Sequence, residues 1–168
     1  MKRSLRNNFD HRGFTLIELI VVLIVMAIVA VFIASRASTG GNDLISETDI
    51  LKSNLRYAQI RAMNDSVPWG IHIPDAGSYV LYRNNAIDTG KMLPGEKPGA
   101  SPAAQTHKLP ATVTVTSGVG TTYNFDAWGR PVNTGTPPIP LAVAQTITLS
   151  EGAATVAITI TRNTGYIP

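Results

Sequence analysis

The chain has no cysteine among its 168 residues. A disulfide framework is excluded, and so is thiolate chemistry at a nucleophile or a metal. The same absence neither supports nor excludes an oxidising compartment. Charge is scarce as well: Asp, Glu, Lys and Arg make up 15% of the residues, against 44% hydrophobic ones. The net charge of +3 belongs to one end of the chain. Lys2, Arg3, Arg6 and Arg12 stand against Asp10 in the first 13 residues and account for all of it, and the remainder holds ten basic and ten acidic residues. Nucleic-acid binding needs clustered Lys and Arg on the folded surface to displace counterions. From Arg36 onward ten bases face nine acids, and the closing "NTGYIP" holds no base. DNA is therefore an unlikely partner, bound weakly or not at all.

The constellations that carry catalysis are missing too. No Gly-x-Ser-x-Gly elbow frames a nucleophile, and no glycine-rich phosphate loop follows a strand. His72 alternates with Ile71 and Ile73, which points it to solvent, and His107 lies in a proline-rich loop. The two histidines are too isolated for a metal pair. Asp75, Asp88 and Asp126 are scattered, whereas calcium needs several oxygen ligands packed together. Trp128-Gly129-Arg130 reads first as a turn with a packed aromatic and second as an exposed contact site. No catalytic residue, metal ligand or cofactor site is expected, and no internal repeat or interdomain linker is visible.

What is present is one long apolar run. From Phe14 to Ala34 there are twenty-one residues, of which Thr15 and Glu18 alone are polar. As a helix that run spans roughly 31 Å, close to the hydrocarbon thickness of a bilayer. A cleaved secretory signal would have a shorter apolar core ending in a small-residue site, and here Gly13 lies before the run. The basic segment in front of it fits the positive-inside rule, with residues 1–13 cytoplasmic and the rest facing outward. Glu18 is the anomaly. An ionised side chain inside a membrane helix costs about 2.5–3.5 kcal/mol on insertion scales. Either Glu18 snorkels to the interface, or a cation meets it when subunits assemble. A cut after Gly13 would give Phe14 a new α-amine, a natural partner for Glu18 of a neighbouring helix.

Gly13-Phe14-Thr15-Leu16-Ile17-Glu18-Leu19 resembles the type IV prepilin signature shared by pilins and the pseudopilins of type II secretion. The likeness covers the leader and the whole apolar helix. It implies cleavage between Gly13 and Phe14 by a prepilin peptidase, N-methylation of Phe14, and a role for Glu18 in recognising the N-terminus of an adjacent subunit. It also implies an inner-membrane location, with residues 1–13 as a removed cytoplasmic leader, 14–35 as the transmembrane and assembly helix, and 36–168 as a periplasmic globular domain. The partners implied are the peptidase and other pilins or pseudopilins, met through the N-terminal helix.

The rest of the chain predicts an α+β fold, a long N-terminal helix packed on a small antiparallel sheet, and that arrangement resembles the pilin fold. Ser38-Thr39-Gly40-Gly41-Asn42 marks a bend or break. Beyond it Leu44, Leu51, Leu55, Ala58 and Ala62 recur on one face of a helix over about 43–66, with Asp43 as its cap. Glu47, Lys52, Asn54, Arg56, Gln59 and Arg61 mostly fall on its other faces. After Pro68 the period changes to two. "WGIHI" and "SYVLYR" form a hairpin about Pro74–Gly77. "TVTVTSG", "TTYNFDAWG", "QTITLSEG" and "ATVAITITRNTGYI" supply further strands, the last two joined at Ser150-Glu151-Gly152, so that strands occupy about 69–167. Residues 88–110 and 130–140 are loops, and Pro137-Pro138 excludes a central strand there. "LKSNLRYAQIRAMNDSVPWGIHI" and "ITITRNTGYI" are similar to the GspH/FimT group. "FDAWGRP" and "TGYIP" resemble the minor pilin MshC of mannose-sensitive haemagglutinin pili, whose cysteines are missing here. The function implied is that of a minor pilin or pseudopilin, and not an enzyme. The rivals are a FimT-like DNA-binding pilin, an MshC-like subunit, and a plain anchored protein that builds no filament. Gly13 and Glu18 argue against the last.

Overall fold

Two 22-residue helices open the structure, α1 (Leu16–Ala37) and α2 (Asn42–Met63). They belong to different units of the chain, Met1–Thr39 and Gly40–Pro168. The computed structural model describes residues 15–37, 42–96 and 106–168, with backbone alone over 32–37. Gly13 and Phe14 lie outside the described residues, as do positions 38–41 of the expected bend.

From Leu16 to Val31, α1 carries apolar side chains at every position but Glu18, and all of them are exposed. Among the described residues no helix is long and apolar enough to cross a membrane.

In α2, Leu44, Leu51, Leu55, Ala58 and Ala62 are all buried, as their spacing predicts. The stripe also contains polar residues. Glu47 and Asn54, expected on outer faces, are 8% and 1% exposed, and Thr48 is buried beside them. Each has a partner inside: Asn54 Nδ2 donates to Tyr79 Oη at 3.0 Å, and Thr48 Oγ1 donates to Leu44 O at 2.7 Å. Burial is tolerated because these hydrogen bonds replace those lost to water. Asp43 lies in the first turn but is not the cap that the sequence suggests. The Leu44 N–H donates instead to Glu151 Oε2 at 3.2 Å, and Asp43 Oδ2 accepts from Thr112 Oγ1. The helix stops at Met63, short of residue 66. There Asn64 N and Asp65 N fold back on Arg61 O and Ala62 O, and Asn64 Nδ2 takes Ile60 O at 2.7 Å.

Among the described residues, nine strands follow. They are β1 (Trp69–Asp75), β2 (Ser78–Arg83), β3 (Ala86–Ile87), β4 (His107–Lys108), β5 (Val113–Ser117), β6 (Thr122–Phe125), β7 (Pro131–Val132), β8 (Gln145–Glu151) and β9 (Ala154–Ile160). They end at Ile160, before the expected limit of about 167, because residues 162–164 turn the chain back. All pairings are antiparallel, and they divide into two sheets. One runs β3-β2-β1-β6-β7, with β4 beside β2, and the other runs β5-β8-β9. α2 packs on β1 and β6 of the first sheet and on β5, β8 and β9 of the second, so one apolar stripe closes both.

Alternation explains the second sheet. Ile147 and Leu149 of β8 and Ile158 and Ile160 of β9 point inward, while Thr146, Thr155 and Ala157 are exposed. Burying each of these large side chains contributes about 1.5–3 kcal/mol. Gly152 opens the two-residue turn between them with φ 59°, a conformation that costs glycine least. In the β1–β2 turn Asp75 accepts from Gly77 N and Ser78 Oγ, each at 2.8 Å. β1 lies between β2 and β6 so tightly that a Cβ on Gly70 would overlap Tyr123 O and Asn124 Oδ1. The architecture is α+β, an N-terminal helix followed by a small antiparallel β domain, consistent with a pilin fold.

Candidate functional site

Thr15 Oγ1 and Thr15 O both accept from the Glu18 N–H, at 3.3 and 3.1 Å, and Thr15 O also accepts from Leu19 N at 3.2 Å. Thr15 is therefore the N-cap of α1, and Thr15-Leu16-Ile17-Glu18 has the spacing of a capping box, with Glu18 at the third helical position. The sequence reading missed this role for Thr15, although the Thr-x-x-Glu spacing signals it. Glu18 also lies in the first turn, at the positive end of the helix dipole. Apart from Glu18 the described side chains of the helix are apolar all round, from Leu16 at 78% exposure to Val31 at 72%. Such a surface is stable only when lipid or other apolar helices cover it.

The globular unit holds two side-chain clusters that long-range folding assembles. His107, expected in an isolated loop position, sits on β4 with its ring stacked on Tyr79, centroids 4.6 Å apart. Its Nδ1 meets Glu96 Oε1 at 2.6 Å and its Nε2 meets Glu47 Oε2 at 2.9 Å. Carboxylate oxygens only accept, so the ring satisfies both contacts when both of its nitrogens donate. The cluster ties α2, β4 and the start of the loop after Leu93 together, which gives the inward-facing Glu47 its reason. Burial, opposed in part by the hydrogen bond from Asn54, pushes the Tyr79 hydroxyl well above the ordinary tyrosine range.

His72 is half-buried on β1, stacked on Tyr82 and bonded through Nδ1 to Thr122 Oγ1 at 2.9 Å, where free exposure to solvent was expected. Burial holds its pKa below the ordinary value of 6.5. Asp75, Asp88 and Asp126 remain apart, and among the described residues no cluster suits a metal ion. Asp65 bonds to Trp69 Nε1 and Arg83 Nε, each at 3.0 Å. Those donors, with the Ser66 N–H, hold its carboxyl below the usual range.

The second cluster joins the two segments "FDAWGRP" and "TGYIP". Asp126 accepts from Trp128 N and Arg130 N, both at 2.9 Å, and pairs with the Arg130 guanidinium at 2.8 Å, which sets a tight turn. Gln59 Nε2 on α2 then donates to Gly129 O at 2.7 Å, Gly165 O at 3.1 Å and Thr164 O at 3.2 Å. A Cβ at Gly165, where φ is +63°, would overlap Gly129 O. Arg56 Nη2 fastens Ile167 O at 2.8 Å, and Ile167 is buried. Trp128, for which packing was the first expectation and an exposed contact the second, stands 77% exposed. Tyr166 is exposed as well.

Comparison with known proteins bears on the N-terminus. The pattern described as the prokaryotic N-terminal methylation motif matches residues 8–34. No curated protein and no solved structure matches the chain. A prepilin-type motif supports a type IV pilin-like protein, a structural subunit rather than an enzyme. It implies processing by a prepilin peptidase and assembly with other pilins, and it fits an inner-membrane anchor.

Proposed function

We propose that the chain is a minor pilin or pseudopilin of the GspH/FimT type, built into or placed at the tip of a type IV pilus or a type II secretion pseudopilus. A prepilin peptidase cuts between Gly13 and Phe14 and the new Phe14 amine is methylated. Residues 14–35 span the inner membrane, and the domain from residue 36 faces the periplasm. Glu18 meets the amine of a neighbouring subunit in the filament core. The observation that carries the reading is the methylation motif at residues 8–34, backed by an apolar helix that exposes every described side chain. Pairing in that low-dielectric setting is worth far more than in water, and an unpaired carboxylate there is penalised.

DNA capture is disfavoured by how the cations are used. Arg56 and Arg162 hold backbone carbonyls, Arg61 holds Tyr57 Oη, and Arg83 and Arg130 pair with Asp65 and Asp126. An MshC-like subunit is the second reading, favoured by the meeting of the 126–130 turn with the terminal 164–167 segment at Gln59. The test is co-expression with a prepilin peptidase, followed by N-terminal sequencing and mass measurement. The expected mature chain begins at methylated Phe14. A mature start at any other residue would sink the prepilin reading.

A further inference from the structure

One cavity of the globular unit lies where α2 ends and β1 and β2 meet. It has a volume of about 290 Å³. Its wall includes Arg61 in the last turn of α2, Trp69 at the start of β1 and Arg83 at the end of β2, with Asp65, Asp88 and Lys91 from the connecting segments. The formal charges on that wall are three positive and two negative. Asp65 is taken up within the protein: Oδ2 accepts from Trp69 Nε1 and from Arg83 Nε, each at 3.0 Å, and Oδ1 accepts from Ser66 N at 2.7 Å. It neutralises Arg83 and does not reach Arg61. Arg61 is half-buried, with its guanidinium 5.1 Å from the centre of the Tyr57 ring and 6.0 Å from that of Trp69. It donates through Nε, to Tyr57 Oη at 2.9 Å. Among the described residues neither of its Nη groups has a partner, and neither does the Lys91 ammonium. Asp88 Oδ1 accepts from Gly90 N at 3.2 Å, while its Oδ2 is buried and has no hydrogen-bond partner among the described residues.

A guanidinium steadied by two aromatic rings, with its planar outer edge unused, is suited to take a carboxylate through two parallel hydrogen bonds. The surplus of one positive charge on the wall matches one carboxylate, whereas a phosphate monoester brings nearly two negative charges. The unpartnered Asp88 oxygen requires a donor. A neutral hydroxyl supplies it, while the ammonium of an amino acid would add to the surplus of cations. The volume sits at the lower end of the range for ligand cavities, about 300–1,000 Å³, which suits one small ring rather than a nucleotide. We propose that the cavity binds a single uronic acid, a sugar that carries one carboxylate among its hydroxyls. Its carboxylate lies against Arg61 and Lys91, and one of its hydroxyls donates to Asp88.

The chain has two tryptophans, so Trp128→Phe leaves Trp69, on the cavity wall, to report alone. The full chain with that change, purified in detergent micelles, is titrated at constant ionic strength with D-galacturonate, D-galactose and acetate. The last two separate the hydroxyls from the carboxylate. Binding is read by ligand-observed saturation-transfer NMR and by the fluorescence of Trp69. The expected result is saturable binding of galacturonate, several-fold tighter than that of galactose or of acetate. Arg61→Gln and Lys91→Ala should each weaken it several-fold. Lys91 is exposed, so Lys91→Ala should keep the parent melting temperature and carries the test even where Arg61→Gln fails to fold. Failure of galacturonate to bind overturns the proposal. So does equal binding of galactose, which would leave the cations without a role, or of acetate, which would make the cavity a plain anion site. Undiminished binding in folded Lys91→Ala and Arg61→Gln overturns it as well.

Discussion

α1 and α2 have the same length, 22 residues, and solve opposite problems. α2 gathers its large apolar residues on one stripe, and two sheets of the same chain cover that stripe. α1 is apolar on all sides, and every described side chain on it is exposed. A helix patterned like α2 needs a partner that the chain supplies, whereas one patterned like α1 needs a surrounding that the chain does not supply. Polar residues divide in the same way. Inside the stripe of α2, Glu47 and Asn54 are met by His107 and Tyr79. On α1, Glu18 has the Thr15 cap on its backbone N–H and the helix dipole on its carboxylate.

The contrast can be broken or sharpened by substitutions ranked by their effect on unfolding of the globular unit. Leu55→Ala removes a side chain with no exposed surface and should cost about 2–5 kcal/mol. Leu23→Ala, an equal truncation on the exposed face of α1, should leave the same transition unchanged. Denaturant unfolding of both variants in detergent, followed by tryptophan fluorescence, makes the comparison. A matching loss in Leu23→Ala would mean that α1 contributes to the stability of the domain. Next comes His107→Ala, which leaves the inward-facing Glu47 and its neighbour Glu96 without their shared donor. A loss of about 1–3 kcal/mol is expected by the same assay, and one below a few tenths would show that the cluster is ornamental.

A smaller effect is tied to pH. Burial holds the pKa of His72 below its ordinary 6.5, so the unfolded chain binds the proton more readily than the folded one. The stabilising contribution is complete above 6.5 and is lost as pH falls below that value through the lower folded one. His72→Gln should flatten the dependence of melting temperature on pH between neutrality and about pH 5. A variant whose slope equals that of the parent would remove His72 from the account. Glu18→Ala should move the unfolding transition least of all, with cleavage and membrane insertion intact. Its effect should fall on incorporation with partner pilins, read by cross-linking or pull-down. Full incorporation of Glu18→Ala would mean that the carboxylate is not the assembly contact.

The sequence by itself determined whatever depends on short-range periodicity and local chemistry. The buried stripe Leu44–Ala62, the alternation in β8 and β9, the hairpin about Pro74–Gly77 and the apolar run behind Glu18 were all legible, because each follows from the pitch of one helix or strand and the turn residues that bound it. Only the tertiary structure decided the inward face of Glu47, the seat of His107, the exposure of Trp128, the division into two sheets and the capping of α2 by Glu151. Those depend on which segments meet across sequence separations such as 60 and 107, and a polar side chain is buried or exposed according to the partner that arrives. No periodicity in Glu47 or His107 encodes the other, and only closure of both sheets over α2 brings them within hydrogen-bonding distance.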